Sequence, residues 1–229
     1  LFSGTPGMGQ GLETFFRQLL SGQLELPLAA VRIVQGDTDQ VKGLGSFGSR
    51  SLFVGGSALL DGARDFLKKG KELAANELEA AVEDMAYQNG RFEVVGTSIG
   101  LGIFELAARQ AELSFSTETV KNLEERSWPN GCHIAEVEID PETGSVKLVR
   151  HGSVDDTGNP INPMIVEGQL QGGIAQGAGQ VLLEHAVYDS EGQILTGSFM
   201  DYAMPRADDF PFFKSTTYTE APCLTNPLG

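Results

Sequence analysis

The sequence predicts an α+β fold in which helices pack on mixed or antiparallel sheets. Apolar residues recur with the helical period in several segments before residue 120, whereas the period changes to two after residue 130. Helical and strand-like segments alternate along the chain without an internal repeat. A chain of 229 residues with 41% hydrophobic side chains can bury a sizeable core. We expect two subdomains, residues 1–125 and 126–229, joined through a polar stretch.

The first subdomain begins with a glycine-rich turn over residues 4–11, which leads into a short helix over residues 12–20. The helix is expected because its apolar residues fall on one helical stripe. The three residues before Gly4 are not expected to form a strand. Residues 29–34, with the sequence AAVRIV, predict one.

A second glycine-rich turn, residues 45–51, opens a long helix that is expected to run to about Met85. Its apolar positions follow a period close to 3.6, and its glycines indicate close packing because each costs about 1 kcal/mol in a helix relative to alanine. Asn89-Gly90 predicts a turn before a strand over residues 91–95. An alanine- and glutamate-rich segment predicts a further helix over residues 104–113.

The second subdomain is expected to start with a hairpin, whose strands cover residues 132–140 and 145–151 around a Pro-Glu-Thr-Gly turn. A helix follows over roughly residues 163–185, interrupted or restarted at a third glycine-rich stretch, residues 168–177. Residues 216–220 predict a last strand.

Charge and composition exclude several classes of protein. The formal net charge of −15 argues against a nucleic-acid partner, because phosphate backbones bind Lys- and Arg-rich surfaces. No apolar run approaches the roughly 20 residues of a membrane span. The chain begins at Leu1 without a secretory leader, so we interpret it as a piece of something longer. Two cysteines form no disulfide framework, which favours a reducing cytoplasm.

The three glycine-rich stretches suggest a shared ligand. A helix start presents unpaired backbone N–H groups and the positive end of the helix dipole, and glycine lets a ligand approach closely. Glutamine amides both donate and accept, and four of them lie in these stretches, namely Gln10, Gln169, Gln171 and Gln176. We therefore expect the stretches to converge on a large polyanionic ligand with polar rings.

Other chemistries find little support in the sequence. The first turn lacks the lysine and Ser/Thr of a mononucleotide P-loop, because Gln10-Gly11 occupy those positions. Cys132 and His133 are adjacent on a strand and point to opposite faces, so they cannot share a metal. No protein metal ligands are therefore expected. Cys223 is interpreted as a buried small hydrophobe.

Read together, the motifs resemble the large, molybdopterin-binding subunit of the molybdenum hydroxylases, the family of xanthine dehydrogenase, aldehyde oxidoreductase and aerobic carbon monoxide dehydrogenase. The residues of these motifs are similar to those of the bacterial carbon monoxide dehydrogenase-like branch. The matching segments follow family order and span essentially the whole chain: Gly9-Gln10-Gly11-Leu12-Glu13-Thr14, Gly36-Asp37-Thr38-Asp39, Gly48-Ser49-Arg50-Ser51, Pro129-Asn130-Gly131-Cys132-His133, Glu136-Val137-Glu138-Ile139-Asp140, Asp155-Asp156, Gly158, Asn162-Pro163, Gly168-Gln169, Gly172-Gly173-Ile174-Ala175-Gln176-Gly177, Asp201-Tyr202-Ala203-Met204-Pro205-Arg206-Ala207 and Asn226-Pro227-Leu228-Gly229.

The resemblance implies a molybdenum cofactor, in bacteria molybdopterin cytosine dinucleotide, whose dithiolene rather than the protein holds the metal. By analogy, the first two turns bind the pyrophosphate and nucleotide, and the third stretch binds the pterin or nucleotide edge. The cofactor-binding residues expected on this basis are Gly9, Gln10, Gly11, Gly48, Ser49, Arg50, Ser51, Gln169, Gly172 and Gln176.

The implied reaction is the oxidative hydroxylation of an aldehyde or N-heterocycle, or the oxidation of carbon monoxide, with water as the oxygen source. The implied partners are an iron–sulfur and an FAD-binding subunit or domain, assembled as a homodimer of heterotrimers. The family's catalytic glutamate follows the Asn-Pro-Leu-Gly motif, so it is expected beyond Gly229, and the isolated chain is expected to be inactive.

Two alternatives remain open from the sequence. The same helix starts suit a non-catalytic nucleotide- or anion-binding module. The glycines also suit a structural or interaction domain in which they serve only close helix packing.

Overall fold

The computed structural model describes residues 1–122 and 127–228, and this part of the chain confirms the α+β class with mixed and antiparallel sheets. The chain divides into two compact units. Unit 1 comprises Leu1–Ser127 together with Cys223–Gly229, and unit 2 comprises Trp128–Pro222. The boundary predicted between residues 125 and 126 lies outside the described residues.

Unit 1 starts with a small βαβ arrangement. Strand β1 (Phe2–Ser3) pairs in parallel with β2 (Val34–Gln35), and helix α1 (Leu12–Leu24) lies between them in sequence. The expectation that the residues before Gly4 form no strand was therefore wrong, because β2 supplies a distant pairing partner. The strand predicted over residues 29–34 was mostly wrong, since Leu28–Ala30 form a 3-10 turn.

The second helix of unit 1 has an irregular start. Ser51–Gly56 form a π-helical turn that continues into α2 (Ser57–Glu77). The predicted inner face is confirmed at Leu59, Ala63, Gly70 and Ala74, which are buried. The prediction that this helix reaches Met85 was wrong, because the chain turns at Glu79, where φ is +51°.

The core of unit 1 lies between α2 and a three-stranded antiparallel sheet of β3 (Met85–Gln88), β4 (Arg91–Val94) and β5 (Gly100–Gly102). Asn89 and Gly90 both have positive φ, which confirms the predicted turn. Helix α3 (Ile103–Arg109) follows and is shorter than predicted. The buried cluster consists of Ala74, Ala75, Met85, Phe92, Leu101, Ile103 and Leu106.

Unit 2 contains a three-stranded mixed sheet. Strands β6 (Gly131–Ile139) and β7 (Val146–Asp156) form the predicted antiparallel hairpin, with a register shift at Glu136/Val137. Strand β8 (Lys214–Tyr218) pairs in parallel with β7, two residues earlier in the sequence than predicted. The strand order is β6-β7-β8.

Helix α4 (Pro163–Leu182) is continuous. The Asn162 side chain caps it by accepting a hydrogen bond from the backbone N–H of Ile165 at 3.1 Å, and Pro163 occupies the first turn. Residues 168–177 therefore lie inside the helix, and the prediction that they form a turn at a helix start was wrong. Within the described part of the chain, no helix is both long and apolar enough to cross a membrane.

Candidate functional site

The first glycine-rich turn leaves the start of α1 open. Gly9 and Gly11 have φ values of +97° and +80°, a conformation that glycine adopts without strain. Gly11 is the N-cap residue and provides no side-chain cap, and the first helical hydrogen bond runs from the N–H of Phe15 to the carbonyl of Gly11 at 3.1 Å. The backbone N–H groups of the first turn of α1 are thus available to an anion.

A cavity of about 390 Å³ lies at this helix start. It sits at the carboxyl ends of β1 and β2, where α/β arrangements usually bind ligands. The cavity is lined by Pro6, Gly7, Gly9, Gly11, Leu12, Glu13, Gln35 and Gly36. The Gln35 amide nitrogen donates a hydrogen bond to the carbonyl of Thr5 at 2.9 Å and so fixes the turn to the end of β2.

The electrostatics of the cavity come from the backbone. Among its described lining residues there is no lysine or arginine. Glu13 lines the cavity, and its carboxylate is paired with Arg17 at 2.7 Å, which offsets its charge. A bound anion would therefore be stabilised by amide groups and the dipole of α1.

The structure brings the first two glycine-rich turns together. The backbone N–H of Gly45 donates to the carbonyl of Gly4 at 3.2 Å, and the Ser46 hydroxyl donates to the carbonyl of Pro6 at 2.5 Å. Gly4 and Gly43 meet backbone to backbone, because a Cβ placed on Gly43 would lie 2.4 Å from Cα of Gly4. The second turn thus supports the first.

The predicted site residues of these turns have distinct environments. The Gln10 side-chain oxygen accepts a hydrogen bond from the backbone N–H of Met8 at 2.5 Å, and its amide N–H₂ is a donor. Gly48 and Ser49 have φ values of +60° and +55°. The Arg50 guanidinium lies 4.9 Å from the centre of the Phe47 ring. Ser51 begins the π-helical turn.

The third glycine-rich stretch forms a helix face rather than a helix start. Gln169, Gly172, Gly173 and Gln176 are spaced i, i+3, i+4 and i+7 in α4, so they share one face. A Cβ on either glycine would meet nothing within 4 Å, so the bare backbone is accessible between two glutamines. Gln171 lies on another face, where its side chain donates to Glu167 at 3.1 Å.

The amides of this stretch are engaged in the helix, so only side chains and the small-residue surface can contact a ligand there. The stretch belongs to unit 2 and the first two turns to unit 1. Convergence of all three on one ligand stays a prediction.

The structure also contains a polar cluster that the sequence reasoning missed. His133 Nε2 lies 2.9 Å from Asp155 Oδ1, and the rings of His133 and His151 are 5.3 Å apart. Strand alternation places these residues on one face, but the second strand was predicted to end at residue 151, five residues before β7 ends, and so did not include Asp155. Burial and the nearby His133 lower the pKa of His151, and the Asp155 charge opposes this shift.

Residues 1–122 and 127–228 contain no group of three or more His, Cys, Asp or Glu that could hold a metal ion. Cys132 is exposed. Cys223 is only half-buried, and its sulfur lies 3.1 Å from Oγ1 of Thr225, so its interpretation as a buried residue was wrong.

Comparison with known proteins gives a consistent set of relatives. Residues 1–211 match the family model described as "Molybdopterin cofactor-binding domain". The 6-hydroxypseudooxynicotine dehydrogenase complex subunit gamma of Paenarthrobacter nicotinovorans is 31% identical over 237 residues, covering 99% of this chain and 30% of its own. The carbon monoxide dehydrogenase large chain of Hydrogenophaga pseudoflava is 33% identical over 235 residues, covering 99% of this chain and 29% of its own.

Solved structures agree with these relatives. A crystal structure of Cu,Mo-CO dehydrogenase in the carbon monoxide reduced state superposes with a TM-score of 0.83 at 31% identity, covering 100% of this chain and 30% of that one. Quinoline 2-oxidoreductase from Pseudomonas putida 86 gives 0.83 at 33% identity, covering 99% of this chain and 30% of that one. The chain thus spans about 30% of the length of the relatives that it matches.

Proposed function

The chain belongs to the molybdopterin cofactor-binding domain family, and from this premise we propose that it forms the cofactor-binding region of a molybdenum hydroxylase large subunit. The whole enzyme would oxidatively hydroxylate an aldehyde or N-heterocycle, or oxidise carbon monoxide, with oxygen taken from water. The observation that carries the proposal is the uncapped start of α1, which opens into a glycine-lined cavity.

The unit 1 cavity fits the phosphate part of a dinucleotide cofactor. A pyrophosphate needs several N–H donors at close range, and Gly9, Gln10 and Gly11 offer backbone amides at a helix start without Cβ atoms at either glycine. The second turn, Gly48 to Ser51, adds a cation at Arg50 and a hydroxyl at Ser51. We propose that these residues hold the pyrophosphate and nucleotide of molybdopterin cytosine dinucleotide.

The α4 face fits a flat heterocycle. Gln169 and Gln176 flank the exposed backbone at Gly172, and each amide can donate to and accept from a ring edge. We propose that this face holds the pterin or nucleotide edge. When bound, the cofactor supplies the molybdenum, through its dithiolene, that carries out the oxidation. The residues of this chain bind and orient it.

Further parts of the assembly follow from the same proposal. Several relatives are named as a large chain, a large subunit or a complex subunit. We propose iron–sulfur and FAD-binding partners for electron transfer, a homodimer of heterotrimers, and a cytoplasmic location. By analogy with the family, a glutamate that follows the Asn226-Pro227-Leu228-Gly229 motif in the whole enzyme would serve as the general base.

The test uses the full-length protein. Acid denaturation should release molybdenum and a cytidine nucleotide in equal amounts. Release of a nucleotide without molybdenum would favour a non-catalytic nucleotide-binding module, and release of neither would overturn the proposal. The Arg50→Ala variant should retain less cofactor than the matched Arg64→Ala variant, whose guanidinium is paired with Asp61 on α2. Equal retention would favour a structural role for the second turn.

A further inference from the structure

One face of the unit 2 sheet carries buried polar atoms that lack partners. Ser153 is only 5% exposed, and its hydroxyl oxygen makes no hydrogen bond within the described part of the chain. Four further side-chain atoms on partly buried residues are themselves buried and also lack a partner there: His151 Nδ1, Asp155 Oδ2, Thr157 Oγ1 and Ser215 Oγ. Buried polar groups in proteins are almost always hydrogen-bonded, so five unpaired ones along one row of this face favour an occupant.

Sheet register places these atoms side by side. Ser153 pairs with His133 of β6 on one side and with Ser215 of β8 on the other. His151 and Asp155 lie two residues before and after Ser153 on β7, so their side chains project from the same face. Neighbouring strands are about 4.8 Å apart, which suits a molecule that bridges two hydroxyls by hydrogen bonds of about 2.8 Å.

We propose that this sheet face binds internal water, with one molecule bridging Ser153 and Ser215 and a second reaching His151 and Asp155. Water is the occupant that the chemistry selects, because one molecule can exchange hydrogen bonds with both serine hydroxyls and the second can donate to Asp155 Oδ2. A divalent metal is disfavoured, since the described residues contain no group of three or more His, Cys, Asp or Glu that could hold one. The neutral form of His151, which its environment favours, can accept a hydrogen bond from water.

The water has a position that matters for α4. The unpaired Thr157 hydroxyl extends the polar row beyond the end of β7, where the chain turns toward α4. Asp156 fixes the same turn, since its carboxylate accepts a hydrogen bond from the N–H of Gly158 at 3.1 Å. The polar row therefore ends at the segment that leads into the helix carrying Gln169 and Gln176.

The test measures internal water directly in the 229-residue chain. Magnetic relaxation dispersion of the water oxygen should detect long-lived internal molecules, and at least one should be lost in the Ser153→Ala variant. Urea unfolding of that variant should show a ratio of folded to unfolded protein about fivefold lower, because one well-made hydrogen bond is removed. The matched Ser145→Ala change, in an exposed turn beside β7, should leave both quantities unchanged.

The opposite result has a clear signature. In a dry pocket, Ser153→Ala would remove an unsatisfied hydroxyl and raise the stability of the chain. Increased stability of the Ser153→Ala chain would overturn the proposal. A relaxation dispersion signal that is the same in the Ser153→Ala and Ser145→Ala chains would also overturn it. Should Ser153→Ala fail to fold, the absence of any long-lived water in the unmodified chain would overturn it equally.

Discussion

Replacement of Gly43, two residues before the second glycine-rich turn, by alanine tests whether that turn supports the first. The new Cβ would lie 2.4 Å from both Cα and the carbonyl oxygen of Gly4, and both of these atoms belong to the main chain. Ordinary carbon contacts begin near 3.4 Å. The segment must therefore move by roughly 1 Å, because no flexible side chain is present to yield.

A movement of that size separates two hydrogen-bonded pairs. The Gly45 N–H lies 3.2 Å from the carbonyl of Gly4, and the Ser46 hydroxyl lies 2.5 Å from the carbonyl of Pro6. Loss of both costs about 2 kcal/mol at about 1 kcal/mol each. We expect urea unfolding of the Gly43→Ala chain to show this loss, and the full-length Gly43→Ala enzyme to retain less molybdenum.

The matched control is Gly22→Ala in α1, where a Cβ meets nothing within 4 Å. That change should stabilise the helix by up to about 1 kcal/mol. The reasoning is refuted if Gly43→Ala behaves like Gly22→Ala, since the first turn would then not depend on backbone contact with the second. A lower unfolding free energy with unchanged molybdenum content would separate folding of unit 1 from its proposed binding role.

Three further predictions concern other parts of the molecule. Gly70→Ala should destabilise unit 1, because the new Cβ would lie 2.3 Å from the fully buried Phe92 ring. The overpacking costs about 1–3 kcal/mol, which outweighs the gain in helix propensity of about 1 kcal/mol. A rise in the urea midpoint of unfolding would contradict this prediction. The folded-state pKa of His151 is lowered, so the unfolded chain takes up the proton first as the pH falls. The unfolding free energy should therefore decrease as the pH drops below about 6.5. A His151→Asn chain should lose this part of the pH dependence, and an unchanged slope of unfolding free energy against pH would refute the assignment to His151. In the full-length enzyme, Gln169→Ala should reduce the amount of bound molybdenum, whereas Gln171→Ala, on another face of α4, should leave it unchanged. Equal losses of molybdenum in the two variants would contradict the proposal that the face with Gln169 binds the cofactor.

Local patterns predicted those elements whose stability is itself local. The hairpin of β6 and β7 followed from alternation of apolar residues around a four-residue turn, and the inner face of α2 followed from its period. Strands β1 and β2 contain two residues each and exist only because they pair with one another across 30 residues of chain. No local pattern encodes such a pairing.

The candidate site divides along the same line. The positive φ values at Gly9 and Gly11 fit the glycine-rich turn expected from the sequence, because few other residues adopt them. The contact between Gly4 and Gly43 depends on two segments that are distant in sequence. The third stretch was wrongly predicted to lie at a helix start. Asn162 caps the helix six residues before Gly168, but the prediction gave more weight to the glycine content of residues 168–177 than to this cap.

The meeting of Gly4 and Gly43 also limits how this protein can vary. Where two side chains touch, enlargement of one can be compensated by reduction of the other, and paired changes restore the fit. Here both partners are glycines, so neither has a side chain that a substitution could make smaller. We expect genetic screens for second-site suppressors of a Gly43 defect to recover no substitution at Gly4. Neither position should therefore accept a substitution, whether alone or combined with a substitution at the other.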